Sequence, residues 1–344
     1  MGRKTHHNRI VTDEVKAKIN PENIQLIEDF VVYLQSLGRS EGTIEGYVSD
    51  LYMAFAYNLE KNKNKRFVDW TKKDVMFFQN YFINVLKLSG ARYRRIRSAL
   101  SSLSNYIELI LDEEYPDFRP IINRLEAPSK QPVREKSVWE DEQIQALLDS
   151  LVEREEYQKA CLLALAWGCG ARKSELLRFK VSYFNEENVI YGSLYKTPEK
   201  IKTKGRDGGK MLHKYTLKSK FKPYFDLWMK QREELGINSE WLFVYKSKGQ
   251  YVQMGVPQAN YISNLFSKEL GGDFYFHSMR HNWCTALVKA GIPASVIKSI
   301  GGWSTTDMVD LYTDIEVDDT LGDYFDESGV REGLKEQRKG LSDL

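Results

Sequence analysis

Apolar residues recur at helical spacing from Pro21 onward. Ile24, Ile27, Phe30, Val31 and Leu34 share one face, and the pattern stops at Gly38. A second helical run is expected from about Thr43. A third starts at the N-cap candidate Thr71, with Asp74 in its first turn, and is expected to end at Gly90. The fourth, in ARYRRIRSALSSLSNYIELIL, carries Ile96, Leu100, Leu103 and Ile107 as one stripe. Periodicity then breaks. The stretch YPDFRPIINRLEAPSKQPVREKS holds Pro116, Pro120, Pro128 and Pro132 among alternating charges, which predicts an extended linker. Helix resumes near Trp139, and ACLLALAW, Ala160 to Trp167, reads as a buried helix. The short runs VIYGSLY, KMLHKYTL and WLFVY predict a small antiparallel sheet, with Gly205, Gly208 and Gly209 at a hairpin turn. The remainder reads as helical.

The pattern implies a mainly α protein of two domains. The expected divisions are a flexible basic N-terminus (1–20), a helical domain (21–115), a linker (116–136), an α-rich domain with a small antiparallel sheet (137–325) and a tail (326–344). A chain of 344 residues, 42% apolar, suffices for two cores. No run approaches the ~20 apolar residues of a membrane span. The polar start MGRKTHHNRI is unlike a signal peptide. Cys161, Cys169 and Cys284 are widely spaced, which implies neither a zinc site nor a disulfide framework. A cytoplasmic, nucleoid-associated protein without metal or cofactor is expected.

Charge changes the picture. The formal net charge is +2, but Thr313–Glu327 carries seven acids and no base, which leaves +9 on the rest. A basic body suits an anionic partner, and an acidic segment suits a basic protein surface. On the fourth helix Arg94, Arg97, Ser98 and Ser101 lie opposite the apolar stripe, and no acid occurs between Lys87 and Tyr106. Arginines among short hydroxyl side chains suit close approach to a phosphate backbone, although a solvated helix face has the same outline.

Four fragments carry candidate chemistry. GCGARKSELLRF places an arginine after glycines and before a helix. EKIKTKGRDGGKMLHKY alternates lysines before a glycine turn. HSMRHNW groups two histidines with an arginine, and IGGWSTTDMVDLY places a tyrosine nine residues after a tryptophan. Each alone has an ordinary structural reading: a helix start, a lysine-edged hairpin, helix faces. Together they supply two guanidiniums, an ammonium, an imidazole and a phenol. Two arginines can grip one phosphate and neutralise a pentacoordinate phosphorus. A tyrosine can attack it, while an imidazole and an ammonium move protons. The set fits metal-free phosphoryl transfer onto tyrosine.

In these fragments the sequence resembles the tyrosine recombinase, or phage integrase, family in its Cre/Xer-like form, from about residue 21 to 325. GARKSEL is similar to the family's G-x-R-x-S-E-L box, HSMRH to its H-x-L-R-H box, and GGWSTTDMVDLY to its last box. SEGTIEGYVSDL and RRIRSALSSLSNYI resemble two helices of the family's N-terminal DNA clamp. The resemblance implies a SAM-like core-binding domain joined to a catalytic domain of the DNA breaking-rejoining fold. It implies that Arg172 and Arg280 bind the scissile phosphate, His277 is the acid–base group, and Lys204 is the general acid, with Lys202 a competitor. Trp303 would pack on the phosphate, Tyr312 would be the nucleophile, and Glu175 would support the site. Thr43, Arg94, Arg97 and Ser101 would contact DNA. Lys173, Met279, Asn282 and Trp283 depart from the family's usual residues, and none removes a catalytic group.

The function implied is site-specific recombination or integration on double-stranded DNA, through a 3′-phosphotyrosine, for a phage or other mobile element. Four protomers would act on two sites, with an accessory DNA-bending or directionality factor as a further partner. The segment after Tyr312, with Val330 and Leu334 at helical spacing, would dock on a neighbouring protomer. Two alternatives share the fold or the chemistry. One is a catalytically silent DNA-binding repressor or architectural protein, against which the intact reactive set speaks. The other is a type IB topoisomerase, against which the N-terminal helices and the Trp-to-Tyr spacing speak.

Overall fold

The computed structural model describes residues 9–129, 139–203, 211–312, 325–326 and 329–330. They form two compact units that meet in sequence near residue 135. The protein is mainly helical with small antiparallel sheets, as expected. No described helix is long and apolar enough to cross a membrane.

The first unit contains α1 (Pro21–Ser36), α2 (Glu41–Lys61), α3 (Lys72–Asn80) and α4 (Gly90–Ile110). Thr71 and Asp74 exchange side chain–backbone hydrogen bonds of 3.2 and 2.8 Å in a capping box that starts α3. The expected continuation of that helix to Gly90 is not found. α3 gives way to a π-turn at Tyr81–Val85, and Gly90 instead opens α4 behind the N-cap Ser89. The predicted stripe is the core: Ile96, Leu100, Leu103 and Ile107 are buried against Phe30, Phe55 and Phe78. Asp50 of α2 is fully buried and pairs with Arg92 at 2.5 Å and Arg95 at 2.9 Å, which ties α2 to α4.

The proline-rich stretch does not extend away at Tyr115. Phe118, Ile121, Ile122 and Leu125 fold back onto the first core, so apolar contact overrides the linker composition as far as residue 129. The stretch 130–138 lies outside the described residues.

In the second unit α5 (Asp141–Glu153) leads to α6 (Tyr157–Cys169), buried from Ala160 onward. α6 is central because α5, α8 (Lys218–Glu234) and α10 (Phe276–Lys289) all pack on it, leaving no polar face. The one-turn α7 (Lys173–Leu176) follows α6, and α9 (Val256–Glu269) precedes α10. Beyond α10 come α11 (Ala294–Gly301) and α12 (Asp307–Tyr312). One sheet has the order β1 (Val189–Ile190), β2 (Leu194–Lys196), β5 (Tyr215–Leu217), with Tyr195 opposite Thr216. A hairpin of β3 (Ile201–Lys202) and β4 (Met211–Leu212) precedes β5, and a second hairpin joins β6 (Val244–Ser247) to β7 (Gln250–Gln253). The glycine turn with Lys204 lies outside the described residues, as does most of the chain after Tyr312. Val330, expected at helical spacing with Leu334, instead belongs to a two-residue strand pairing with Phe325–Asp326.

Gly170 ends α6 in the left-handed region, at φ +58°. A Cβ there would lie 2.3 Å from the Trp283 ring. Gly236, which follows α8 at φ +64°, has open space around it. Gly236→Ala should therefore cost only the left-handed strain, roughly 1–2 kcal/mol. Gly170→Ala should cost about 2–5 kcal/mol, because overpacking against an indole adds to that strain. Chemical denaturation of the two variants checks this, and equal losses would show that the Trp283 contact is unimportant.

Candidate active site

Arg172 directly precedes α7 and is placed by the Gly170 turn. Its backbone N–H donates to Glu175 Oε2 at 3.1 Å, and its Nη1 donates to Oε1 at 2.9 Å. Glu175 is fully buried and also accepts from Lys214 Nζ at 2.7 Å. Lys214 is itself only 2% exposed. Burial alone would favour the neutral acid. Lys214 and then Arg172 reverse this and hold the Glu175 pKa below its ordinary value. Arg172 keeps part of its surface in solvent.

Arg280, on α10, is 1% exposed. Its Nη1 donates to the Gly170 carbonyl at 2.8 Å and its Nη2 to the Gly301 carbonyl at 2.5 Å. Its guanidinium carbon lies 4.4 Å from the centre of the Trp303 ring, a cation–π contact. Trp303 follows Gly302, whose left-handed turn leaves no room for a Cβ because Leu212 of β4 would lie 2.5 Å from it. The hairpin leading to the lysine turn therefore packs against the turn that aims Trp303. Trp283, Cys284, Leu287, Ile297, Trp303 and Val309 form a separate apolar cluster beneath.

His277 lies one turn before His281 on α10, with ring centres 5.7 Å apart. Burial lowers its pKa, and His281 and the Arg280 and Arg172 guanidiniums lower it further, from 6.5 to about 4. Part of His277 faces solvent, which tempers the burial effect. The charged neighbours act in the same direction, so the imidazole is neutral at pH 7.

The structure thus brings Arg172, Glu175, His277, Arg280 and Trp303 into one neighbourhood. Tyr312 is the last residue of α12, whose Val309 belongs to the cluster beneath Trp303. Lys204 lies outside the described residues. Lys202 is exposed in β3, and its carbonyl accepts from Arg178. Among the described residues no three His, Cys, Asp or Glu side chains gather as a metal site.

The other candidates belong to the first unit. Thr43 sits in the first turn of α2, its hydroxyl 2.9 Å from that of Ser40. Arg94 and Arg97 do not form a bare face: Arg94 donates to the carbonyls of Ala127 and Pro128, and Arg97 to that of Leu125. Ser101 accepts from Asn123 at 2.6 Å. With Ser98 and Asn105 they line an open polar groove of about 450 Å³.

Sequence reasoning missed Lys214, Trp283 and the backbone acceptors of Arg280. Lys214 left no signal of its own, since it lies between two short strands in a lysine-rich stretch and reads there as a surface residue.

Residues 138–318 match the sequence model of the phage integrase family. The chain is 27% identical over 283 residues to the SPbeta prophage-derived recombinase-like protein YomM of Bacillus subtilis (strain 168), covering 81% of this chain and 82% of that protein. It is 24% identical over 299 residues to the tyrosine recombinase XerA of Pyrococcus horikoshii, covering 85% and 90%. The XerH site-specific recombinase bound to palindromic difH substrate shares the fold with a TM-score of 0.63 at 16% identity, over 87% of this chain and 83% of that one. A lambda integrase dimer bound to a COC′ core site does so with a TM-score of 0.59 at 16% identity, over 85% and 98%. With the family match spanning more than half of its length, the chain belongs to the phage integrase family and is a tyrosine-type site-specific recombinase.

Proposed function

We propose that this recombinase cuts duplex DNA by attack of the Tyr312 phenolic oxygen on a backbone phosphorus. The new O–P bond leaves a 3′-phosphotyrosine, and the bond to the 5′-oxygen breaks. The phenolic proton passes to His277, and the departing 5′-oxygen takes a proton from Lys204, with Lys202 as the other lysine at that hairpin. Rejoining runs the same steps backward from a different 5′-hydroxyl, so the energy of the phosphodiester is retained without a nucleotide. Arg172 and Arg280 hold the non-bridging oxygens, each Arg280 Nη carrying a second hydrogen beyond the one bonded to a carbonyl. Trp303 covers the Arg280 face. Arg94, Arg97, Ser101 and Thr43 contact the phosphate backbone from the first unit. Four protomers joined on two duplexes exchange the strands, and the element served is a phage or other mobile DNA. That context is supported by the likeness to a prophage-derived protein and by 36% identity over 90 residues with the integrase of Salmonella phage P22.

The observation that carries this reading is the convergence of separate sequence boxes on one neighbourhood: Arg280 bonds the Gly170 and Gly301 carbonyls and stacks on Trp303, and after burial and His281 both Arg280 and Arg172 lower the pKa of the His277 imidazole. Neutral His277 is in the base form needed to receive the phenolic proton. An anion gripped by both arginines would cancel the charges that lower its pKa, so the same ring becomes a better acid once the phosphate is bound.

Incubating the chain in EDTA with nicked suicide duplexes of randomised core sequence should leave DNA covalently attached to protein under denaturing conditions. Tyr312→Phe should yield no adduct while binding the captured duplex with unchanged affinity. An adduct in that variant would assign the nucleophile elsewhere.

The His277 ring should titrate near pH 4 in the free chain by NMR, and at higher pH in the Tyr312→Phe complex with the captured duplex. An unshifted titration would separate His277 from the phosphate site. Protonation is harder in the folded chain than in the unfolded one. Stability that is full above about pH 6.5 is therefore lost as pH falls towards about 4. His277→Gln should remove that part of the acid sensitivity.

A further inference from the structure

Lys214 is an interior lysine that the catalytic scheme does not use. It occupies the turn between β4 and β5, where its N–H donates to Thr197 Oγ1 at 3.0 Å and its carbonyl accepts from the Thr197 N–H at 3.0 Å. Fixed in this way, its ammonium reaches Glu175 Oε2 at 2.7 Å, and neither side chain has more than 2% of its surface in solvent. The carboxylate is shared. Oε2 also accepts the Arg172 backbone N–H, and Oε1 accepts the Arg172 Nη1.

We propose that Lys214 is a positioning residue for the phosphate-binding arginine: it keeps Glu175 ionised inside the protein, so that the carboxylate can hold the Arg172 guanidinium and backbone in place. This rests on the assignment of Arg172 to the scissile phosphate. A neutral, protonated Glu175 would offer one acceptor oxygen fewer to Arg172, and its acidic hydrogen would face a donor. The charged groups facing the carboxylate are Lys214 from the β4–β5 turn and Arg172 from the start of α7; the Cys169 thiol at the end of α6 also neighbours it and stays neutral, its pKa raised by burial. Without Lys214, burial acts on Glu175 with only Arg172 to oppose it, and the carboxyl should titrate much closer to neutrality. The lysine also links two parts of the chain, because it anchors the strand that follows the Lys204 turn to the box that carries Arg172.

The test is single-turnover cleavage of the captured duplex by wild type and Lys214→Met across pH 6 to 8. The ratio of wild-type to variant rate cancels the titration of His277. It should grow as pH falls, by up to about tenfold per unit of pH below the displaced Glu175 pKa, with duplex affinity unchanged. In the double variant Lys214→Met, Glu175→Gln the ratio should be flat. A flat ratio for Lys214→Met alone would reduce the lysine to a packing role and overturn the proposal. A substrate with sulfur at the 5′-bridging position separates the remaining reading, since a thiolate leaves without a proton. Selective recovery of the variant on that substrate would make Lys214 a proton donor and overturn the positioning role. Where Lys214→Met fails to fold, Lys214→Gln retains a hydrogen bond to Glu175 without the charge and carries the same pH test. If wild type itself forms no adduct, the functional assignment fails; if wild type cleaves and the lysine variants match it at every pH, only the role of Lys214 fails.

Discussion

The site depends on one buried cation. Arg280 is almost completely removed from water, which costs several kcal/mol unless its donors are met. Two of them are met by the carbonyls of Gly170 and Gly301, and its face by the Trp303 ring. Those carbonyls lie at the C-terminal ends of α6 and α11, where the helix dipoles present their negative ends. Left-handed glycines turn the chain there, at Gly170 and Gly302, and each leads within two residues to a side chain of the site, Arg172 or Trp303. One guanidinium thus draws together three sequence boxes spread over more than a hundred residues, from Gly170 to Gly301.

The fold class was legible because apolar periodicity is a local property. The stripe from Ile96 to Ile107 is the core of the first unit, and Thr71 and Asp74 cap the helix they were expected to cap. Local reading failed where tertiary contact decided the matter. Nothing before Gly90 announces the π-turn at Tyr81–Val85. The prolines of residues 116–128 look like linker until Ile122 and Leu125 find a hydrophobic surface. The same limit applies to the site. Arg172, His277, Arg280 and Trp303 came from motifs, and the structure brings them near one another. Lys214 could not be told from a surface lysine, because its significance is a buried carboxylate 39 positions upstream in the chain, Glu175. The arginine face of α4 was legible but its partners were not, since a sequence does not show whether a donor meets solvent or a returning carbonyl.

That last distinction separates two uses of positive charge in this protein. Arg92 and Arg95 meet the buried carboxylate of Asp50, so their charge is locally compensated and the result is a strut. Lys214 meets Glu175 in the same way, and Arg172 shares that acid while keeping one side open. Arg280, Arg94 and Arg97 are instead held by neutral carbonyls. A carbonyl fixes the geometry of a guanidinium without cancelling its charge, so the field survives beyond the hydrogen bond. At Arg280 that surviving field adds to burial and to His281 in lowering the pKa of His277. At Arg94 and Arg97 it fills a polar groove lined by serines and asparagines and by no acid. Holding cations by backbone acceptors fixes them without neutralising them. Arg280 and the Arg94–Arg97 pair, where a phosphate is proposed to bind, share this device with the buried Arg232, which the carbonyls of Ser239, Trp241 and Leu242 hold. It is therefore the open polar groove beside Arg94 and Arg97 and the His277 ring beside Arg280 that set those two places apart.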